Sequence, residues 1–221
     1  MQTHFTDFEK MLLGLLTPVY KVIAQRFRRK EFTLLDVGCG DRSPEIVRNR
    51  FPHCNYYGID KCLINPKENS DKNAFFQIDL ENDSLQALPD AFFDAIIISH
   101  VIEHLSNGLT VIERLVPKLA KGGIIYIEFP SVKSLNFPSM HGTLNFCDDV
   151  THKKLYDIKE IANILLSKNL KIVRAGTRRD ILRIGVSPLL YFYCRMRRIP
   201  YAGAFWDILG FAEFVLAQND G

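Results

Sequence analysis

The chain has 221 residues, of which 47% are hydrophobic and 24% charged, an ordinary balance for one globular α/β domain with an elaboration. A formal charge of +3 is too small to imply a nucleic-acid partner, and no RNA-binding module accompanies it. The five cysteines (Cys39, Cys54, Cys62, Cys147 and Cys194) include no C-x-x-C pair, so neither a disulfide framework nor a zinc site is expected, and they read as buried small residues in a reducing compartment.

Between residues 5 and 29, Phe5, Phe8, Leu12, Leu15, Leu16, Val19, Val22, Ile23 and Phe27 recur at helical spacing, interrupted by Pro18. Residues 1–30 are therefore expected to form a helical cap on the core of a domain spanning 31–221. Asp7 and Glu9 precede the short apolar run 11–16, and a basic n-region is missing, which argues against a signal peptide. No run reaches the ~18 apolar residues of a membrane span. A cytoplasmic location is expected.

Next comes an apolar run, Phe32, Thr33, Leu34, Leu35, that ends in Asp36, followed by Val37, Gly38, Cys39, Gly40 and Asp41. Two glycines flanking one residue, with a helical segment from Ser43, make a sharp strand-to-helix turn whose main chain a ligand can approach. About twenty residues on, a second apolar stretch through Tyr56, Tyr57 and Ile59 ends in Asp60, which can accept from ribose hydroxyls. A dinucleotide fingerprint needs a third glycine or alanine, and Ser43 stands there instead. Asp36 and Asp41 bracket the turn. That charge suits a cationic amino-acid tail better than a pyrophosphate.

With these residues the chain resembles the class I S-adenosylmethionine-dependent methyltransferases, whose first motif is a hydrophobic run followed by D-x-G-x-G. The resemblance continues in order over residues 32–130. Phe75 to Leu80 resembles the third strand, Phe93 to His100 the fourth, and Leu119 to Glu128 the glycine turn and fifth strand. It implies a doubly wound, Rossmann-like sheet of seven mostly parallel strands with an antiparallel last strand. The alternation stops near Pro130. A helix at 157–168, a strand at 170–176 and a last strand at 213–217 leave insertions at 131–156 and 178–210, where specificity is expected to lie. The resemblance further implies S-adenosylmethionine as cofactor: Asp36, Gly38 and Gly40 at its methionine end, Asp60 at the ribose, Asp79 and Leu80 at the adenine. Ser99 and His100 would line the reaction centre.

Three features bear on the acceptor. Asp149, Thr151 and His152 resemble the D-x-T-H stretch of methyltransferases of glycan and cell-surface polysaccharide pathways, with Val150 where proline is typical, and this makes His152 the candidate base. His100, Glu103 and His104 fall on one face if a helix begins near Ser99. A related spacing binds a divalent metal in some ubiquinone-pathway O-methyltransferases, but there the first residue is an acid; with His100 in that place no metal is expected. Finally, Arg174, Arg178, Arg179, Arg183, Arg195, Arg197 and Arg198 share the tail with Tyr191, Phe192, Tyr193, Tyr201, Phe205 and Trp206. Such a segment suits an anionic substrate or a membrane surface, or else is a helical insertion with its aromatics inward and its arginines in water. The expected activity is O-methylation of a sugar or glycan-linked small molecule. A quinone-precursor methyltransferase and a non-catalytic nucleoside-binding protein are the alternatives.

Overall fold

The structure, a computed structural model, describes residues 17–27, 30–41, 43–62 and 73–221; the part of the expected cap that carries Phe5, Phe8 and Leu12 lies outside them. Among the described residues seven strands form one sheet: β1 (Phe32–Val37), β2 (Cys54–Asp60), β3 (Asn73–Gln77), β4 (Phe93–Ser99), β5 (Leu119–Pro130), β6 (Leu170–Thr177) and β7 (Ala212–Asn219). Their spatial order is β3-β2-β1-β4-β5-β7-β6. Strands β1 to β5 pair in parallel, and β7 runs antiparallel between β5 and β6. This is the expected doubly wound architecture with an antiparallel last strand. The order reverses at β1, whose neighbours are β2 and β4. Such a reversal opens a crevice at the carboxyl ends of the strands.

Strand periodicity sorts the core onto the two faces of the sheet. Leu35, Val37, Ile96, Ile98, Ile125 and Ile127 face helices α3 (Gly108–Leu115) and α4 (Ile158–Ser167) through Val111, Ile112, Leu115, Ile161 and Leu165. Phe32, Leu34, Ala95, Ile97 and Tyr126 face α1 (Pro18–Phe27) and α2 (Ser43–Arg50) through Val19, Ile23 and Val47. Helix α1 buries Val19, Tyr20 and Ile23, and its Tyr20 hydroxyl bonds Ser43 Oγ at 2.7 Å. Asp36 falls on this second face and is buried with it.

The two insertions fold onto each other beyond the carboxyl end of β5. Leu144 of the first packs with Ala202, Phe211 and Ala212, and Trp206 Nε1 donates to the Thr143 carbonyl at 2.6 Å. The second carries α5 (Ile181–Arg197) and α6 (Trp206–Leu209). The tail is mixed: Arg174, Arg179, Arg195, Arg197 and Arg198 are exposed and Phe205 and Trp206 pack inward, as in the helical-insertion reading, but two arginines turn inward and one face of α5 is apolar and exposed. Arg178 is buried, and Arg183 bonds the buried Asp207, while Ile181, Leu189, Phe192 and Met196 of α5 are exposed. Paired carboxylates inside the lobe draw the guanidinium groups inward.

Two further expectations are corrected. Cys39, Cys54 and Cys194 are buried, but Cys62 and Cys147 are exposed, since both lie in loops outside the sheet core; all five are free thiols. No helix starts at Ser99. His100 takes a left-handed φ of 55°, which ends the strand, and only a 3-10 turn, Ile102–His104, follows. No described helix is long and apolar enough to cross a membrane.

Candidate active site

The glycine turn closes β1 over β2. The amides of Gly38 and Cys39 both donate to the Ile59 carbonyl, at 2.8 and 3.2 Å. Gly38 has φ +70°, and a Cβ there would lie 2.4 Å from Val101 Cγ2, so only glycine fits between turn and loop. Gly40 has φ +53°, and a Cβ on it would meet nothing within 4 Å. One glycine serves packing; the other faces open space. Asp60 locks the turn from the neighbouring strand: one carboxylate oxygen accepts from the Gly40 amide at 3.0 Å and the other from Cys62 at 3.0 Å.

A cavity of about 610 Å³ opens beside this turn, lined by Gly38, Asp60, Ile78, Asp79, Leu80 and Val101 and also by Glu81, His100, His104, Val150, Thr151 and Lys153. Predicted residues from four segments therefore meet in one space. Strand β3 stops at Gln77, two residues short of Asp79, so that carboxylate projects from the loop after the strand. Lys61, at 3.0 Å, together with Asn82 and the Glu81 amide, holds it down to a pKa of about 2.

Asp36, Gly40, Ser99 and His152 do not line the cavity. Asp36 lies beneath the turn and accepts from the Tyr56 hydroxyl at 2.9 Å. Burial raises its carboxyl to about 6, against the hydrogen bonds from Ser43 and Tyr56 that favour the anion. Its place is under the turn, holding it. Ser99 pairs with Glu128 across β4 and β5. The His152 side chain is 5% exposed and stacks on Phe146. A side chain screened from the cavity by its own loop is poorly placed to receive a proton from an acceptor.

His100 lines the cavity as a cation. Its Nδ1 meets Glu103 at 3.0 Å and its Nε2 meets Glu128 at 3.1 Å. Burial alone would lower its pKa, but hydrogen bonds and charge from the two carboxylates prevail and raise it to about 9. With both nitrogens engaged, it has no lone pair to offer as a base. Glu128 also accepts from Arg178 Nη1 at 2.7 Å and from the Tyr126 hydroxyl at 2.5 Å. Burial pushes its carboxyl up, yet Arg178 and His100 outweigh this and hold it well below the usual range. Arg178 then turns its other nitrogens to Asp207 at 3.0 and 3.3 Å, and Arg183 Nε reaches the same carboxylate at 2.9 Å. Three cations, His100, Arg178 and Arg183, thus balance three carboxylates, Glu103, Glu128 and Asp207. Sequence reasoning missed Glu128 and Asp207 as site residues; for Glu128 the available signal was an acid near the end of an otherwise apolar strand, and Asp207, in the short helix α6, gave none.

A family model described as a methyltransferase domain matches residues 12–175. The chain belongs to this methyltransferase family. Solved structures of S-adenosylmethionine-dependent methyltransferases share its fold over most of the chain. A SAM-dependent methyltransferase from Archaeoglobus fulgidus superposes with a TM-score of 0.63 at 21% identity, over 95% of this chain and 94% of that one. A second, from Mesorhizobium loti, gives 0.63 at 13% identity, over 90% and 96%. The plantazolicin methyltransferase BpumL, solved with SAH, gives 0.60 at 18% identity, over 96% and 86%. Among curated sequences, an uncharacterized protein of Methanocaldococcus jannaschii is 27% identical over 152 residues, 65% of this methyltransferase and 42% of that protein. The chain thus spans about two-fifths of the length of that relative.

Proposed function

We propose that this protein transfers the methyl group of S-adenosylmethionine to an oxygen of a small polar acceptor, a sugar or glycan-linked metabolite. The observation that carries the reading is the Gly38–Gly40 turn, locked by Asp60, at the edge of a cavity that also has a polar wall of Glu81, His104, Thr151 and Lys153. The residues fit the cofactor. Gly40 offers main chain with open space in front of it. Each Asp60 oxygen has accepted one amide and retains a lone pair for a ribose hydroxyl. Ile78, Leu80, Val101 and Leu105 supply an apolar slot for a base, with the Asp79 carboxylate at its rim.

The cofactor would supply a methyl group already activated by a sulfonium and leave as the thioether, with the acceptor's hydroxyl proton passing to solvent through the open cavity. The protein's task is therefore alignment of the acceptor. Glu81, His104, Thr151 and Lys153 give that wall both donors and acceptors, which suits a hydroxyl-rich molecule. Lys153 is paired with Glu81 at 2.8 Å, leaving the wall near neutral rather than strongly cationic. His100 supports the acceptor end as a fixed charge. Calorimetric titration with S-adenosylmethionine, S-adenosylhomocysteine and NAD tests the first half of the reading. The two sulfur nucleosides should bind, NAD should not, and Asp60→Ala should weaken binding about a hundredfold. Methyl-labelled cofactor offered with a panel of sugars and glycan-linked metabolites tests the second; labelling of amines or carbon nucleophiles instead would overturn the acceptor assignment.

The exposed Ile181, Leu189, Phe192 and Met196, beside Arg195 and Arg197 on the same helix, favour peripheral contact with an anionic membrane as well. Flotation with phosphatidylserine vesicles checks it: Phe192→Ser with Met196→Ser should abolish co-flotation.

A further inference from the structure

The first insertion does more than cover the cavity, because it brings His152 against the turn that follows β4. One potential ligand atom each from Glu103, His104 and His152 lies within 4.8 Å of the other two. The imidazole rings of His104 and His152 are 4.8 Å apart. Proximity of this kind is common; the proton positions make it specific.

His152 Nδ1 lies 2.7 Å from the Phe146 carbonyl, which can only accept. The hydrogen is therefore on Nδ1, and in the neutral ring the lone pair is on Nε2. The nearest acid to that nitrogen, Asp149 Oδ2, is 3.9 Å away, beyond hydrogen-bonding distance. For His104, Thr151 decides the tautomer. The Thr151 hydroxyl donates to Asp149 Oδ1 at 2.6 Å, so its oxygen must accept from His104 Nδ1 at 2.9 Å. His104 likewise keeps its lone pair on Nε2. The third group is Glu103, fully buried. His100 holds its Oε1, while Oε2 has no partner. A buried carboxylate oxygen without a partner costs about 1–3 kcal/mol, more when charged.

We propose that Glu103, His104 and His152 form a site for a divalent first-row transition ion of the zinc class. Two imidazole nitrogens and one carboxylate oxygen are the donor set such ions take, whereas magnesium prefers oxygen alone. Each ligand has its orienting partner in place: the Phe146 carbonyl for His152, the Thr151–Asp149 pair for His104, and His100 for Glu103. An ion there would also satisfy Glu103 Oε2. Three protein ligands leave a coordination position free, and His104 and Thr151 belong to the cavity wall, which puts that position on the acceptor side. A bound ion there polarises an acceptor oxygen. This last consequence rests on the methyl-transfer reading; ion binding does not.

The test is titration of the full-length, metal-stripped protein with Co²⁺ alone, read by its visible d–d absorption, followed by displacement with Zn²⁺. One equivalent should bind with the intense spectrum of a four- or five-coordinate site, and Zn²⁺ should bleach it. His152→Ala and His104→Ala should each weaken cobalt binding at least about a hundredfold. Glu103→Gln should do the same if it folds, and the partly exposed His104 keeps the test valid if it does not. Asp60→Ala should lose S-adenosylmethionine and retain cobalt, separating failure of the metal site from failure of the cofactor reading. Absence of cobalt binding by the folded wild type, or affinity unchanged in His152→Ala, overturns the site. So does a loss of cobalt affinity in His141→Ala that matches the loss in His152→Ala.

Discussion

The two ends of the cavity are built in opposite ways. At the proposed cofactor end, the turn of Gly38 and Gly40 and the acid Asp60 lie at the ends of two adjacent strands, and main-chain amides supply the contacts between them. At the other end, His100 lines the cavity and is backed by Glu103, Glu128, Arg178 and Asp207; the five come from four segments and are held by side-chain charge. The first end is rigid because glycine and a strand register leave the chain little choice. The second is rigid only while each buried charge keeps its partner. Backbone-built sites accommodate a constant ligand, whereas side-chain networks can be rewired with the insertions that carry them.

The most severe way to break the comparison is to remove the cation at the centre of the network. Arg178→Met would leave Glu128 and Asp207 buried with one partner fewer each, a loss of about 3–5 kcal/mol in denaturant unfolding. The matching cut at the other end is Gly38→Ala. It combines a left-handed backbone with a Cβ 2.4 Å from Val101, for about 2–4 kcal/mol in the same measurement. Val101→Ala added to Gly38→Ala should return the steric share and leave the backbone share. Restoration by a distant substitution instead would show that the turn is not what fails.

The two ends also differ in pH response. Raised to about 9 in the folded protein, His100 contributes stability that is fully present below its ordinary value near 6.5 and is lost as pH rises through 9. The loss amounts to about 2–3 kcal/mol between pH 6.5 and 9. Asp36, raised to about 6, also destabilises the fold as pH rises, but in the lower window from its ordinary value near 3.8 to 6. Glu128 is held low, so its contribution is present above about 4.5 and lost toward acid. The alkaline slope is thus assigned to His100 alone among these three. Urea unfolding at pH 6.5 and 9 checks it, and His100→Gln should flatten the slope. A slope that persists in that variant would move the effect to another group.

What was legible in the sequence follows the same division. The mostly parallel seven-stranded sheet and the glycine turn after its first strand could be read because each motif is contiguous and its chemistry is local. Residues joined by the fold could not. Arg178 and Glu128 are 50 positions apart, and Arg178 stood in a run of arginines with nothing to show that it alone would be buried with two carboxylates. Thr151 and His104 are 47 positions apart, so the D-x-T-H stretch could suggest a catalytic loop but not that its threonine would fix the tautomer of a histidine from the turn after β4. The missing helix at Ser99 is likewise hidden from composition: His100 takes a left-handed φ, and its ring is held by two carboxylates, one of them on the neighbouring strand.

The mildest perturbation isolates the cofactor end from stability altogether. Gly40 shares a positive φ with Gly38, but a Cβ on it meets no protein atom within 4 Å. Gly40→Ala should therefore cost only the backbone share, about 1–2 kcal/mol in denaturant unfolding. If the open space in front of Gly40 is where the cofactor's amino-acid end lies, the same methyl group should weaken S-adenosylhomocysteine binding by more than its effect on stability predicts, at least tenfold by calorimetry. The comparison within one variant matters, because a general loosening of the turn would lower both quantities together. Affinity retained in Gly40→Ala and lost in Asp60→Ala would place the ligand against the ribose-binding acid but away from the turn. The cavity would then be occupied mainly from the Asp79–Leu80 side, and the backbone-built end would owe its shape to folding rather than to the ligand.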